Sequence, residues 1–323
     1  MTRRIRRRAP LIGLTLAIAL IAAACGGDGD SGGGTGGSEQ LSGAVAIDGS
    51  STVAPISEAV AEEFKKAQSG VNVTVGTSGT GGGFTAFCAG KTDISDASRE
   101  IKDEEKQACQ AKNIEYTELR IGLDGLAVVT SAQNKFLDTL SFSQLAKIFG
   151  QPGAKTWNEI DPKFPNEKIE IFAPGTDSGT YDFFVEEVLP EDSGKKPRTD
   201  YTASEDDNTL VQGIEGEPNS WGYFGYAYFA ANQEKLKDIK ITEKDGQPGI
   251  APTNDTVLSG DYPLSRPLFI YVKNDSMKKK EVYEFVKFYL EQAPTLVPEV
   301  GYVKAPDADY SKGLQTIQQF ATS

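Results

Sequence analysis

One pattern recurs three times in this chain and limits what it can fold into. Each time a short β-branched or alternating run meets a turn of Gly, Ser and Thr, and a stretch with helical apolar spacing follows. The first copy runs from Val45 and Ile47 through Asp48-Gly49-Ser50-Ser51-Thr52-Val53-Ala54-Pro55 into Ile56, Ala59, Val60 and Phe64, with Ser51 or Thr52 expected as the helix N-cap. The second joins residues 71–75 to Gly76-Thr77-Ser78-Gly79-Thr80-Gly81-Gly82-Gly83-Phe84, and the third joins 169–172 to Gly175-Thr176-Asp177-Ser178-Gly179-Thr180-Tyr181. Strand–turn–helix units in series specify an α/β fold with a mostly parallel sheet. A helix start leaves backbone N–H groups without internal partners and carries a partial positive charge. One such turn is ordinary architecture. Three that converge would form an oxyanion site from neutral groups.

The remaining pattern extends this reading. Strands are expected at 43–47, 71–76, 93–97, 114–119 and 168–173, and helices at 54–68, 81–89, 102–112, 141–149, 179–188, 205–216, 278–291 and 309–321. Two long apolar strands, 123–130 and 264–272, are what a chain needs to cross into a second domain and return. Arg99 follows the strand at 93–97, and ligands of open α/β sheets sit outside the carboxyl ends of strands. Its guanidinium fork suits phosphate oxygens, which makes it the candidate fixed cation; the alternative is a surface pair with Glu100 or Asp103. Asp206 and Asp207 open a helix, where the helix dipole alone explains acidic residues; in a binding site one could accept a proton from a protonated oxyanion. The aromatic run at 221–229 is read as core packing rather than a sugar platform.

The N-terminus is a targeting segment. Five arginines (Arg3, Arg4, Arg6, Arg7 and Arg8) precede an apolar run from Leu11 to Ala24, which marks residues 1–24 as a signal peptide; the Arg pairs also permit a twin-arginine route. Ala22-Ala23-Ala24-Cys25 resembles a lipobox, so Cys25 is expected to carry the lipid that anchors the exported protein to the outer face of the membrane. Residues 25–40, rich in Gly, form a flexible tether. Of the two Cys that remain, Cys88 and Cys109, an exported chain is expected to make one disulfide, two free buried thiols being the alternative.

Charge and composition exclude several functions. The chain has 33 basic and 46 acidic residues; without the leader's five arginines, 28 basic residues remain and the net charge is −18. Nucleic acid and anionic membrane surfaces are therefore disfavoured as partners, and an anion must be held by local donors rather than by the overall field. The absence of His removes Ser-His-Asp and Cys-His catalysis and the common zinc sites. Residues 85–92 end like a phosphate-binding P-loop but begin with Thr85 instead of Gly, and fail that pattern. No set of carboxylates is spaced for a metal. The expectation is a protein without enzymatic activity, metal or cofactor.

Across residues 41–303 the chain resembles the phosphate-binding lipoproteins of the bacterial phosphate ABC transporter. The likeness rests on 48–55, Ser78-Gly79-Thr80-Gly81-Gly82, 93–99, Gly175-Thr176-Asp177-Ser178-Gly179-Thr180, 203–208 and Pro263-Leu264-Ser265-Arg266-Pro267. The resemblance implies a two-lobed periplasmic-binding-protein fold of type II with a two-strand hinge and a ligand cleft between lobes. Lobe I would comprise 41–123 and 266–323, and lobe II 124–265. It implies a monomer that captures inorganic phosphate and delivers it to permease subunits. The implied ligands are Ser51, Thr52, Val53, Ser78, Ser178, Gly179 and Thr180. Pro174 stands where a better-studied branch places its Arg, which moves the cation to Arg99 and leaves Asp177, Asp206 or Asp207 as the proton acceptor. The alternatives are a binding protein for another oxyanion such as sulfate, a non-catalytic surface lipoprotein, or an exported phosphatase, which the lack of a nucleophile–base pair disfavours.

Overall fold

The computed structural model describes residues 40–321, apart from Asp177 and the side chain of Glu191. The signal segment, Cys25 and all of the tether but Gln40 lie outside the described residues. The first half builds as strand–helix repeats: β1 (Ser42–Gly49), α1 (Ala54–Ala67), β2 (Gly70–Gly76), α2 (Thr80–Cys88), β3 (Ile94–Ala97) and α3 (Asp103–Ala111). β4 (Tyr116–Ser131) follows. The middle comprises β5 (Thr139–Ser141), α4 (Phe142–Phe149), α5 (Trp157–Ile160), β6 (Glu170–Ala173), α6 (Gly179–Val188), β7 (Thr202–Ala203) and α7 (Asp207–Gly216). It continues with β8 (Ser220–Gly225), α8 (Tyr226–Ala231), β9 (Leu236–Asp238), β10 (Lys240–Thr242) and α9 (Asn254–Ser259). The chain returns through β11 (Ser265–Lys273), α10 (Lys280–Glu299), β12 (Val303–Lys304) and α11 (Asp307–Ile317).

The main sheet runs β2-β1-β3-β11-β4-β8-β6-β7. β1 pairs in parallel with β2 and β3, and β6 in parallel with β7 and β8, as the strand–helix repeats require. β4 and β11 run antiparallel through the middle, from Ser265 opposite Gly125 to Lys273 opposite Tyr116, with a register shift at Leu268/Phe269. Where the sequence pattern suggested separate strands at 114–119 and 123–130, β4 is one continuous strand of 16 residues. The polar Arg120 that breaks the apolar pattern lies opposite Phe269, right beside the register shift, which leaves Ile121 without a partner in the register but does not end the strand. α10 also outruns its expected end, continuing through Pro294 and Pro298 to Glu299. Its buried face of Val282, Phe285, Val286, Tyr289, Leu290 and Ala293 supplies the packing that offsets the two lost backbone donors.

Two large cores flank the crossing strands. One includes Val45, Val60, Phe64, Ile121, Leu268 and Phe285; the other includes Leu126, Phe149, Trp157, Phe184, Trp221 and Leu264. Along both crossing strands the change from one core to the other falls between residues 121 and 126 and between 264 and 268. The aromatic run is core: Trp221, Tyr223 and Phe224 are fully buried on β8, and Tyr223 stacks on Phe184 with ring centroids 4.0 Å apart. A smaller cluster of Phe84, Phe87 and Tyr271 surrounds the Cys88–Cys109 disulfide, which ties α2 to α3. Among the described residues, no helix is long and apolar enough to cross a membrane.

Candidate functional site

The carboxyl ends of β1 and β3 create the first helix start. Gly49 at the end of β1 has φ +151°, and a Cβ there would lie 2.1 Å from the Asp96 carbonyl oxygen, so the close approach needs Gly. Ser50 N–H donates to that same carbonyl at 2.9 Å. The N-cap of α1 is Val53, not Ser51 or Thr52. The Ser50 carbonyl accepts the Val53 and Ala54 N–H groups at 3.2 and 3.0 Å and Ser50 Oγ takes the Thr52 N–H at 3.2 Å, so the helix begins later than the hydroxyl pattern suggests, with Pro55 in its first turn. Thr52 and Val53 are buried.

The second helix start is fastened to the first. Gly79, the N-cap of α2 with φ +79°, donates its N–H to Gly49 O at 2.9 Å. Ser78 N–H donates to Asp48 Oδ1 at 3.0 Å. Thr80 Oγ1 lies 3.1 Å from Ser98 Oγ at the exit of β3. Arg99, the next residue, also lies at this end of the sheet. Glu105 grips its guanidinium through two bonds of 2.9 and 2.8 Å, and the guanidinium carbon lies 5.7 Å from the Phe84 ring centroid. The partner is thus Glu105 on α3, with only the carbonyl of Glu100 used and no ion pair to Asp103. Burial pushes the Glu105 carboxyl up, but Arg99 and the Lys102 N–H outweigh it and hold the carboxyl below its usual range.

The third helix start meets the first directly. Ser178 caps α6, its Oγ accepting from Thr180 N–H at 3.2 Å. Gly179 lies so close to Thr52 that a Cβ on it would be 2.9 Å from Thr52 Oγ1. A cavity of about 970 Å³ opens beside these turns. Of the residues singled out from sequence, Ser51, Thr52 and Arg99 line it; Gly79, Thr80 and Ser98 join them. Val53, Ser78, Ser178, Gly179 and Thr180 are not in its wall, although Gly179 touches Thr52 behind it. Asp206 and Asp207 do not line it either. Asp206 is the N-cap of α7 and accepts from Asn208 N–H at 2.9 Å. Asp207 is pushed up to about 6 by burial and by the neighbouring Asp206 and Glu205. Asp177 lies outside the described residues.

Two wall residues escaped the sequence reading. Asp182, one turn into α6, lies beside Ser51, and burial raises its carboxyl above the usual range despite the opposing effects of Arg266 and Ser51. Arg266 at the start of β11 donates from Nη2 to Thr52 Oγ1 at 2.7 Å and from Nε to the buried Asp124 at 3.3 Å. Asp182 could have been found by counting four residues on from Ser178 along the helix. The Arg266–Asp124 pairing needs the register of two strands 142 residues apart. Acidic Glu100, Glu186 and Glu187 also line the cavity, so an anion within it depends on local hydroxyls, helix starts and cations; Arg99, Lys102 and Arg266 are the basic residues of the wall.

A model of the PBP superfamily domain matches residues 34–292. Phosphate-binding protein PstS of Staphylococcus haemolyticus is 41% identical over 312 residues, covering 96% of this chain and 96% of that protein. This chain belongs to the family of phosphate-binding proteins. Another relative within reach of the family, protein SphX of Synechococcus elongatus, is 47% identical over 86% of this chain and 82% of its own length. A solved structure described as a possible phosphate binding protein from Planctomyces limnophilus shares 43% identity, with a TM-score of 0.83 over 88% of this chain and 100% of that one. PstS from Borrelia burgdorferi, at 23% identity and TM-score 0.61, shares the fold. The family fold is the two-lobed α/β binding protein that the resemblance implied, the repeated turns having given the α/β class alone.

Proposed function

We propose that this protein captures inorganic phosphate outside the cytoplasm and hands it to the permease subunits of an ABC transporter. The observation that carries the reading is the meeting of the α1, α2 and α6 starts beside one cavity that Arg99 and Arg266 also line. The relatives named for phosphate binding support it. The function is capture without chemistry. Residues 1–24 direct export, a lipid on Cys25 anchors the protein, residues 25–40 tether it, and the folded part acts as a monomer. Lobe I takes 41–123 and 266–323 and lobe II 124–265, a division supported by the change of core along the crossing strands.

The proposed ligand set is Ser51 and Thr52, which line the cavity, with Val53, Ser78, Ser178, Gly179 and Thr180 at the helix starts beside it, and Arg99 as the cation that Glu105 orients. Asp182 is the acceptor for a proton on the bound phosphate, because it lies beside Ser51 of the first helix start; burial raises its carboxyl above the usual range, as it does that of Glu187 in the same wall. Sulfate has no proton to give at neutral pH and would leave Asp182 repelling it. Calorimetric titration of the mature protein, stripped of carried-over ligand, tests both statements. The expected result is 1:1 binding of phosphate and no heat with sulfate. Asp182→Asn should narrow the preference for phosphate over sulfate at least tenfold, that is by about 1.4 kcal/mol. Sulfate binding by the unaltered protein would move it to another oxyanion, and no heat with either anion would overturn the proposal.

A further inference from the structure

Arg266 makes contacts that the capture of an anion does not require. From Ser265 opposite Gly125, the second rung of the β4–β11 ladder sets Arg266 opposite Asp124. Its side chain is 11% exposed and that of Asp124 1%. From this base its guanidinium reaches both helix starts. Nη2 donates to Thr52 Oγ1 at 2.7 Å on the α1 turn and to the Gly179 carbonyl at 3.4 Å on the first residue of α6. Nη1 reaches Glu186 at 3.4 Å, and the guanidinium carbon lies 3.9 Å from the centre of the Phe183 ring, both on α6. One side chain therefore bridges two segments that are held in different cores, and it is rooted in the two strands that join those cores.

The chemistry of each contact has a consequence. Thr52 Oγ1 accepts from a charged donor, so its own hydroxyl hydrogen is left to donate elsewhere, and a cation behind a hydroxyl strengthens that donation. The Glu186 pair is exposed on the carboxylate side and contributes little by itself. The ring of Phe183 and the buried Asp124 hold the guanidinium plane in place. Asp124 Oδ1 is buried without a partner, so the carboxylate has a free seat for a second guanidinium nitrogen. A second cavity of about 440 Å³, lined by Arg120, Phe269, Asp309 and Lys312, shares Arg266 with the larger one and gives the side chain room to turn.

We propose that Arg266 is a positioning residue that latches the starts of α1 and α6 together at the hinge, aims the Thr52 hydroxyl proton into the cavity, and swings back onto Asp124 when the helices part. The latch governs how long a bound anion stays and not how fast it arrives, since arrival precedes closure. Only the ligand readout below rests on the phosphate proposal; the second readout does not need a ligand.

The test compares Asp124→Asn with the double variant Asp124→Asn/Arg266→Gln, which removes both charges together and so leaves no lone buried carboxylate. The first readout is the phosphate dissociation rate by stopped flow. The second is amide hydrogen exchange of residues 50–57 and 178–188 in the ligand-free proteins. The latch requires dissociation at least tenfold faster in the double variant than in Asp124→Asn, an association rate within threefold, and faster exchange in both segments. Unchanged dissociation would overturn it, as would an association rate that falls in proportion to affinity, which would make Arg266 a direct anion ligand. If even the unaltered protein binds no phosphate, the phosphate proposal fails by itself. Exchange then decides the latch: faster in both segments upholds it, and faster in one or neither overturns it. Should the double variant fail to fold, Arg266→Lys, which keeps the charge but loses the fork, is read by the same two measurements with the same outcomes.

Discussion

At the scale of single residues, burial sets the chemistry beneath the first turn. Asp96, next to last in β3, is the ladder partner of Gly49, and burial pushes its carboxyl up to about 8. Ser57 Oγ donates to Asp96 Oδ1 at 3.0 Å and lies 3.1 Å from the Tyr289 hydroxyl, while Asp96 Oδ2 has no partner. A carboxyl in an unfolded chain titrates near 4. Between about pH 4 and about 8 the folded protein thus holds a proton that the unfolded chain releases, and stability from this group falls as the pH rises through that window. Asp207, held at about 6, adds to the fall only below that point. Asp96→Asn keeps an acceptor for Ser57 and has no charge to bury. Its denaturation midpoint should therefore be flatter than that of the unaltered protein between pH 6 and 8 and higher at pH 8. Parallel urea midpoints across that range would refute this account of Asp96.

At the scale of elements, the disulfide has a role that its place in the sequence did not disclose. Cys88 closes α2 and Cys109 lies in α3, 21 residues on. α2 begins at the second Gly/Ser/Thr turn, and α3 carries Glu105, which orients Arg99. The bond therefore fixes the distance between a helix start and the group that aims a cation. Closing a loop of this length contributes about 3 kcal/mol in the chain-entropy picture. The double variant Cys88→Ala/Cys109→Ala should lose about that much in guanidinium denaturation and bind phosphate more weakly. Stability within about 0.5 kcal/mol of the unaltered protein would show that α2 and α3 are held by the Phe84, Phe87 and Tyr271 packing alone.

At the scale of the whole molecule, charge and site oppose each other. Residues 25–323 carry 28 basic and 46 acidic residues, and Glu100, Glu186 and Glu187 line the cavity itself. A phosphate anion approaches against this field and is held by local donors once inside. Salt screens the repulsion within roughly 10 Å at 0.1 M. The phosphate association rate should therefore rise as sodium chloride increases from 20 to 200 mM, measured by stopped flow, whereas steering by a positive cleft would make it fall. The dissociation rate should change little, because Thr52 is buried and the contacts of Arg266 with Thr52 and Gly179 are partly shielded from salt.

What the sequence determined by itself was local. The periodicity switch from strand to helix, repeated three times around Gly, Ser and Thr, specified the α/β class and the helix starts, because those signals lie within a few residues of one another. The absence of His and the acidic balance excluded whole reaction classes without any geometry. Single-residue placement was less legible: the cap of α1 fell on Val53, and the Ser50 carbonyl took the Val53 and Ala54 N–H groups that a Ser51 or Thr52 cap was expected to satisfy. Only the tertiary structure decided which charges face the cavity. Arg266 meets Asp124 through strand register, Thr52 meets Gly179 through the approach of two helix starts, and Arg99 finds Glu105 rather than its nearer acidic neighbours. These are contacts between segments far apart in the chain, or between side chains whose directions the fold sets, and local sequence pattern carries no record of either.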